Sequence, residues 1–208
     1  MIKTVSDNQH EILASILKLT GLSKFDADIT FGNGSFWKAV PPPSLQFDID
    51  QQVEGVVKAC STNLPVADNS LGSVVFDPPF LTYVRSGRSG NGSMVMSNRY
   101  GGYWRYDELE DHYKKTITEV HRILQPKGVF VFKCQDIIHN HKMHPTHINV
   151  VNWCEGTFRL KDMFILTAKA RIPVPQTKGV AKRVQKHARI HHSYFLVLER
   201  LNGHNRND

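Results

Sequence analysis

The stretch Ser73-Val74-Val75-Phe76-Asp77-Pro78-Pro79-Phe80 decides how the chain is read. Its β-branched run suits a buried parallel strand, and that strand empties into an acid, two prolines and an aromatic ring. Consecutive prolines lack backbone donors and fix φ, so a central strand stops at Pro78. Asp77 then stands at the strand's carboxyl end on a stiff turn, at the edge of an open α/β sheet where ligands bind. An acid ahead of two prolines also suits a plain loop start. The flanking sequence separates the two readings.

On the amino-terminal side, Val56-Val57-Lys58-Ala59-Cys60 and Leu45-Gln46-Phe47-Asp48-Ile49-Asp50 read as short strands. Before them, Phe25 to Phe31 reads as a strand running into Gly32-Asn33-Gly34 and then a helix start. Two glycines one residue apart let backbone approach a ligand, although ordinary turns use the same pair. There is no third glycine at dinucleotide-binding spacing and no Gly-Lys-Ser/Thr, which excludes both the nicotinamide fingerprint and a P-loop. Asp48 lies where a βαβ unit brings a carboxylate beside a ribose held over the first turn, with Asp50 in reserve. Either acid can instead cap a following helix. Earlier still, Ile12, Leu13, Ile16, Leu17 and Leu19 recur at helical spacing between Ser6 and Thr20. Ser6 and Gln9 have capping-box spacing and Gly21 suits the stop, so the spacing predicts an amphipathic first helix, part of an amino-terminal unit over 1–24.

On the carboxyl-terminal side, residues 81–106 form a long irregular segment in which Arg85, Arg88 and Arg99 alternate with tyrosines and glycines. Segments of this length inside a compact domain are functional or disordered, and arginines among aromatics suit phosphates and stacked bases. A helix follows, with Leu109, Tyr113, Ile117, Val120 and Leu124 on one face, and Pro126 and Gly128 mark its end. Val129 to Lys133 reads as a buried strand, Thr146 to Glu155 as a further helix, and 162–170 and 193–199 as closing strands. The connection 171–192 is basic, with Lys182, Arg183, Lys186 and Arg189 as candidate contacts to nucleic acid, against the alternative of a solvated loop. His139, His141, His144 and His147 lie in a short run that can hold zinc, yet no His-Glu-x-x-His or cysteine pair accompanies it. The run is expected to be an exposed loop near the substrate, without metal.

The 208 residues, 40% of them hydrophobic, fit one domain over 1–208 with a sizeable core. No spare block of about a hundred residues is left for a separate recognition domain. No signal peptide or membrane span is evident, and three cysteines without a Cys-x-x-Cys pair argue against a disulfide framework, so a cytoplasmic protein is expected. The formal charge of +7 and pI near 9.4 favour a polyanionic partner.

Glycine turn after strand one, acid after strand two, Asp-Pro-Pro-Phe after strand four and Lys127-Gly128 before strand five form a combination far more specific than its parts. It resembles the class I S-adenosylmethionine-dependent methyltransferases, in particular the DNA amino-methyltransferases that modify adenine N6 or cytosine N4. The resemblance spans about Asp28 to Glu199, and the end of the chain looks like small phage and bacterial DNA methylases. It implies an α/β, Rossmann-like fold: a seven-stranded, mostly parallel sheet with helices on both faces and an antiparallel carboxyl-terminal strand. Asp28 to Ser35 matches the family's Asp-Pro-Phe-x-Gly-x-Gly-Thr/Ser, with Ile29 and Thr30 in place of Pro-Phe. That match implies S-adenosyl-L-methionine as cofactor, bound through Asp28, Phe31, Gly32 and Gly34, with Asp48 at the ribose. Cys60 falls near the place of an adenine-contacting acid in many members.

Asp77, Pro78, Pro79 and Phe80 match the family's catalytic motif in full. An exocyclic amine conjugated into a base ring is a poor nucleophile, so the site has to orient it. Asp77 and the Pro78 carbonyl can accept its N–H bonds, and Phe80 can stack on the extruded or single-stranded base. The resemblance implies methylation of adenine N6 in DNA, with RNA base methylation or a catalytically silent nucleic-acid-binding subunit as alternatives. Target recognition is expected from 81–106, from 171–192, or from a partner subunit.

Overall fold

Apolar runs that the chain separates with glycine, proline and acids become strands, and the two stretches with strong helical periodicity become the longest helices among the described residues. The computed structural model describes residues 1–82, 102–103, 105–168 and 186–202. In order, these carry β1 (Val5–Ser6), α1 (Gln9–Thr20), β2 (Ala27–Asp28), β3 (Leu45–Asp48), β4 (Val57–Lys58) and β5 (Leu71–Phe76). There follow α2 (Tyr106–Ile123), β6 (Leu124–Cys134), β7 (Ile137–His139), β8 (Lys142–His144), α3 (Thr146–Trp153), β9 (Phe158–Thr167) and β10 (His192–Arg200).

Eight strands form one sheet in the order β1-β9-β10-β6-β5-β2-β3-β4, and β7 and β8 pair separately as a hairpin. β4, β3, β2, β5 and β6 run parallel, while β10 is antiparallel to both β6 and β9. From β2 the chain steps outward to β3 and β4, then returns to place β5 on the opposite side of β2. The order therefore reverses between β2 and β5, where Asp28 lies opposite Val75. Loops leaving the two strands diverge there and open a crevice at the carboxyl edge.

The sheet is apolar on both faces, as a covered parallel sheet requires. Val74, Phe76, Phe130 and Phe132 face α2, packing with Leu109, Tyr113, Ile117 and Val120. The alternate residues Val75, Val129 and Val131 face α1, packing with Ile12, Leu13 and Ile16. Each of these side chains that is fully buried contributes about 1.5–3 kcal/mol of transfer free energy. The helices sit on both faces, as expected.

Four differences from the sequence reading have local causes. The sheet has an eighth strand because Val5-Ser6 pairs with Ile165-Leu166 at its edge. The N-cap of α1 is Asn8, whose side chain accepts the His10 N–H at 3.0 Å, while Ser6 Oγ donates to Glu11 at 2.7 Å. Gly21, with φ of 72°, ends that helix in the left-handed conformation. The glycine turn leads into a single 3-10 turn over Ser35–Trp37, not a helix, and Phe31, Phe36, Trp37, Val40 and Val56 fill the core there. Finally, the histidine run is not an exposed loop. It forms the β7–β8 hairpin and the start of α3, with His139 only 7% exposed.

Candidate active site

Asp77 follows the last residue of β5, and three groups fix it. Its backbone N–H donates to Thr30 Oγ1 at 2.8 Å. Its Oδ2 accepts from Lys133 Nζ at 3.1 Å. Two residues on, the Pro79 carbonyl accepts the Tyr113 hydroxyl at 3.1 Å, which ties the proline turn to α2. Pro78 is buried and Phe80 half-buried.

Thr30 connects this turn to a second polar centre. The Asp28 carboxylate, 1% exposed, accepts the Thr30 N–H at 2.8 Å, the Thr30 hydroxyl at 3.3 Å and the Trp37 indole N–H at 2.7 Å. Burial, set against these bonds and reinforced by the nearby Asp77 charge, pushes the Asp28 carboxyl up to about 7. Asp28 therefore braces the turn from beneath, with its oxygens committed to protein donors. The Thr30 hydroxyl carries that brace across the switch point to Asp77.

The glycine turn is held from the other side by Asp48. Asp48 Oδ2 accepts the Gly32 N–H at 2.7 Å, and its Oδ1 accepts the Asp50 N–H at 2.8 Å. Each carboxylate oxygen keeps a further lone pair for a ligand. Gly32 has φ of 56° with open space where a Cβ would stand, and Gly34 has φ of 74° with the Phe31 ring 3.1 Å from such an atom. Phe31 itself is 8% exposed, so it supports the turn by packing. Ile49, directly after Asp48, is 67% exposed, which leaves an apolar side chain uncovered at the carboxyl end of β3.

A cavity of about 580 Å³ opens beside Phe80 and Lys133, between residues 7–10, the carboxyl ends of β6 and β9, and the first residues of β10. That size suits a nucleoside-sized ligand. His10 faces this space, and its Nε2 is buried without a hydrogen-bond partner among the described residues. His192 lines it as well and bonds the Tyr194 hydroxyl at 2.9 Å. Tyr194 reaches Asp136, which pairs with His147 at 2.6 Å.

The fold thus brings Asp77, Pro78, Pro79 and Phe80 to the same edge as Asp28, Phe31, Gly32, Gly34 and Asp48. Arg85, Arg88, Arg99, Lys182 and Arg183 lie outside the described residues. Lys186 and Arg189 are exposed just before β10, ahead of His192 and Ser193 on the cavity wall. The expected third-strand residue Cys60 is half-buried, with its sulfur 3.1 Å from Thr62 Oγ1. Among the described residues, no three His, Cys, Asp or Glu side chains are grouped to hold a metal ion, and no helix is long and apolar enough to cross a membrane.

Sequence reasoning missed Lys133 and Thr30. Lys133 had a signal, since it is the one charge ending the run Val129-Phe130-Val131-Phe132. Thr30 stood out only as a departure from the family pattern, and its hydroxyl's role depends on β2 and β5 being neighbours.

No family model matches this sequence, and no curated protein matches it. Among solved structures, the chain is similar to a Sulfolobus solfataricus protein provisionally classed as a type 11 methyltransferase, at 17% identity and a TM-score of 0.51, with 97% of this chain and 98% of that one covered. A Thermus thermophilus protein provisionally classed as a DNA modification methylase matches at 17% identity and a TM-score of 0.43, over 72% of this chain. The chain spans about half (55%) of that protein's length. The PvuII DNA methyltransferase, specific for cytosine N4, matches at 16% identity and a TM-score of 0.41, over 65% of this chain and 44% of its own. The full-length similarity to the Sulfolobus protein, with the strand order above, gives this chain the Rossmann-like class I methyltransferase fold.

Proposed function

We propose that this protein transfers a methyl group from S-adenosyl-L-methionine to an exocyclic amino group of a nucleic-acid base, adenine N6 in DNA foremost. The observation that carries this reading is the position of Asp77-Pro78-Pro79-Phe80. It follows β5 at the switch point, with the Asp77 N–H held by Thr30 just ahead of the glycine turn and with Phe80 on the wall of a nucleoside-sized cavity.

The residues around the glycine turn fit the cofactor. Open space over Gly32 admits a ligand close to backbone, the Asp48 oxygens have lone pairs left for ribose hydroxyls, and exposed Ile49 offers a face to an adenine ring. Asp28 and Phe31 hold this turn from behind. S-adenosyl-L-methionine bound there supplies an electrophilic methyl group on a sulfonium.

The chain's own task is to present the nitrogen. Asp77 Oδ2 is engaged by Lys133, which leaves Oδ1 to accept one N–H of the amine, while the Pro78 carbonyl accepts the other. Two acceptors in fixed directions draw the lone pair out of conjugation and face the positive charge that develops on nitrogen. The proton the product sheds passes to Asp77 Oδ1 and on to solvent. Phe80 packs on the base ring. Lys186 and Arg189, with the basic residues of 81–106 and 171–192, hold the phosphate backbone.

Purified protein is expected to transfer labelled methyl to unmethylated DNA, with N6-methyladenine found on digestion. Asp77→Ala is expected to lower turnover by about 10²–10³-fold with cofactor affinity nearly unchanged, because the acceptor acts on the amine alone. Labelling confined to RNA would sink the DNA assignment, and calorimetry without cofactor binding would leave the nucleic-acid-binding alternative.

A further inference from the structure

Lys133, next to last in β6, is 7% exposed, so most of its side chain is out of bulk water. It has three N–H donors. One meets Asp77 Oδ2 at 3.1 Å, and no other acceptor bonds Nζ among the described residues. The ammonium lies 5.0 Å from the Phe36 ring centroid and 5.5 Å from that of Phe195, two rings stacked 6.1 Å apart. Rings in these positions favour the cation and fix its stem, but leave its remaining donors without a conventional acceptor. The same side chain forms part of the cavity wall with Phe80. Donors at the cavity wall that no protein acceptor takes favour a ligand in the cavity that supplies one.

We propose that Lys133 is a specificity-determining residue that reads the acceptor base together with Asp77. Side by side, Asp77 Oδ1 and Lys133 Nζ present one acceptor and one donor. They match an H₂N–C=N edge, in which an exocyclic amine donates and the adjacent ring nitrogen accepts. Adenine (N6 and N1) and cytosine (N4 and N3) carry that pair on the Watson–Crick edge, which flipped bases present to such enzymes. Guanine places an N1–H beside its amine there, so its donor would face the ammonium. Lys133 thus selects adenine or cytosine over guanine. This inference rests on the methyl-transfer reading, yet its central contact is testable by binding alone.

The test compares 2′-deoxyadenosine with 1-deaza-2′-deoxyadenosine, which replaces the ring acceptor by C–H and keeps the amine. Affinities are measured by ligand-observed NMR on the intact protein, and methyl transfer to DNA is measured in parallel. Wild type is expected to favour deoxyadenosine by roughly tenfold or more, the range for a hydrogen bond to a charged donor. Lys133→Met is expected to bind both nucleosides alike, with its fold checked by thermal unfolding. If that variant does not fold, Lys133→Gln is used, and its ratio is expected to fall below wild type. Equal affinities in wild type, binding of neither nucleoside, or an unchanged ratio in the variants would overturn the inference. Discrimination that needs Lys133 without methyl transfer would keep the reader and dismiss the enzyme. Methyl transfer without discrimination would do the reverse.

Discussion

At the scale of single residues, the site is a chain of short polar contacts across a switch point, and Asp28 is its most constrained member. Its carboxyl is pushed up to about 7, chiefly by burial, from an ordinary value of 3.8. Between those values the folded protein binds a proton that the unfolded chain has released, so folding is favoured as pH falls through that window. Above about 7 both states are ionised and the contribution is constant. Asp28→Asn cannot titrate. The melting-temperature difference, wild type minus Asp28→Asn, is therefore expected to rise as the pH is lowered from about 7 to about 4 and to be flat above that. A difference independent of pH throughout would show that Asp28 stays ionised, held so by Thr30 and Trp37.

At the scale of elements, the turn between β2 and β3 replaces the helix that the glycine pair led one to expect. Trp37 donates to Asp28, and the 3-10 turn Ser35–Trp37 is too short to bury an amphipathic stripe, so aromatic side chains do the filling. Gly34 is the pivot. Its φ of 74° disfavours any Cβ, and the Phe31 ring stands 3.1 Å from where one would lie. Gly34→Ala is expected to lower stability by about 1–2 kcal/mol, seen as a shifted midpoint in urea unfolding, and to weaken cofactor binding along with it. Gly32→Ala meets no neighbouring atom and strains the backbone only, so its stability loss is expected to be the smaller of the two.

At the scale of the whole molecule, charge and topology divide the work. The +7 charge favours a polyanion from a distance, while under the proposed function contact with a base falls to the few groups around the cavity. Lys186 and Arg189 stand exposed where the basic connection reaches β10. Replacing both with alanine is expected to weaken DNA binding about equally for all sequences and to reduce the slope of log K against log salt by about 2. Filter binding across a salt series measures it, and an unchanged slope would place the phosphate contacts elsewhere. The sequence by itself determined the parallel core, because Val74 to Phe76 and Val129 to Phe132 are apolar on both faces. It also placed Asp77 at a strand end, because two prolines cannot continue a central ladder. Local chemistry suffices for such features. Only the tertiary structure decided that Thr30 bridges Asp28 to Asp77, that Lys133 pairs with Asp77 from 56 positions further along the chain, and that Val5-Ser6 adds an edge strand. These contacts join strands far apart in sequence, and which strands become neighbours depends on the order in which the sheet is wound.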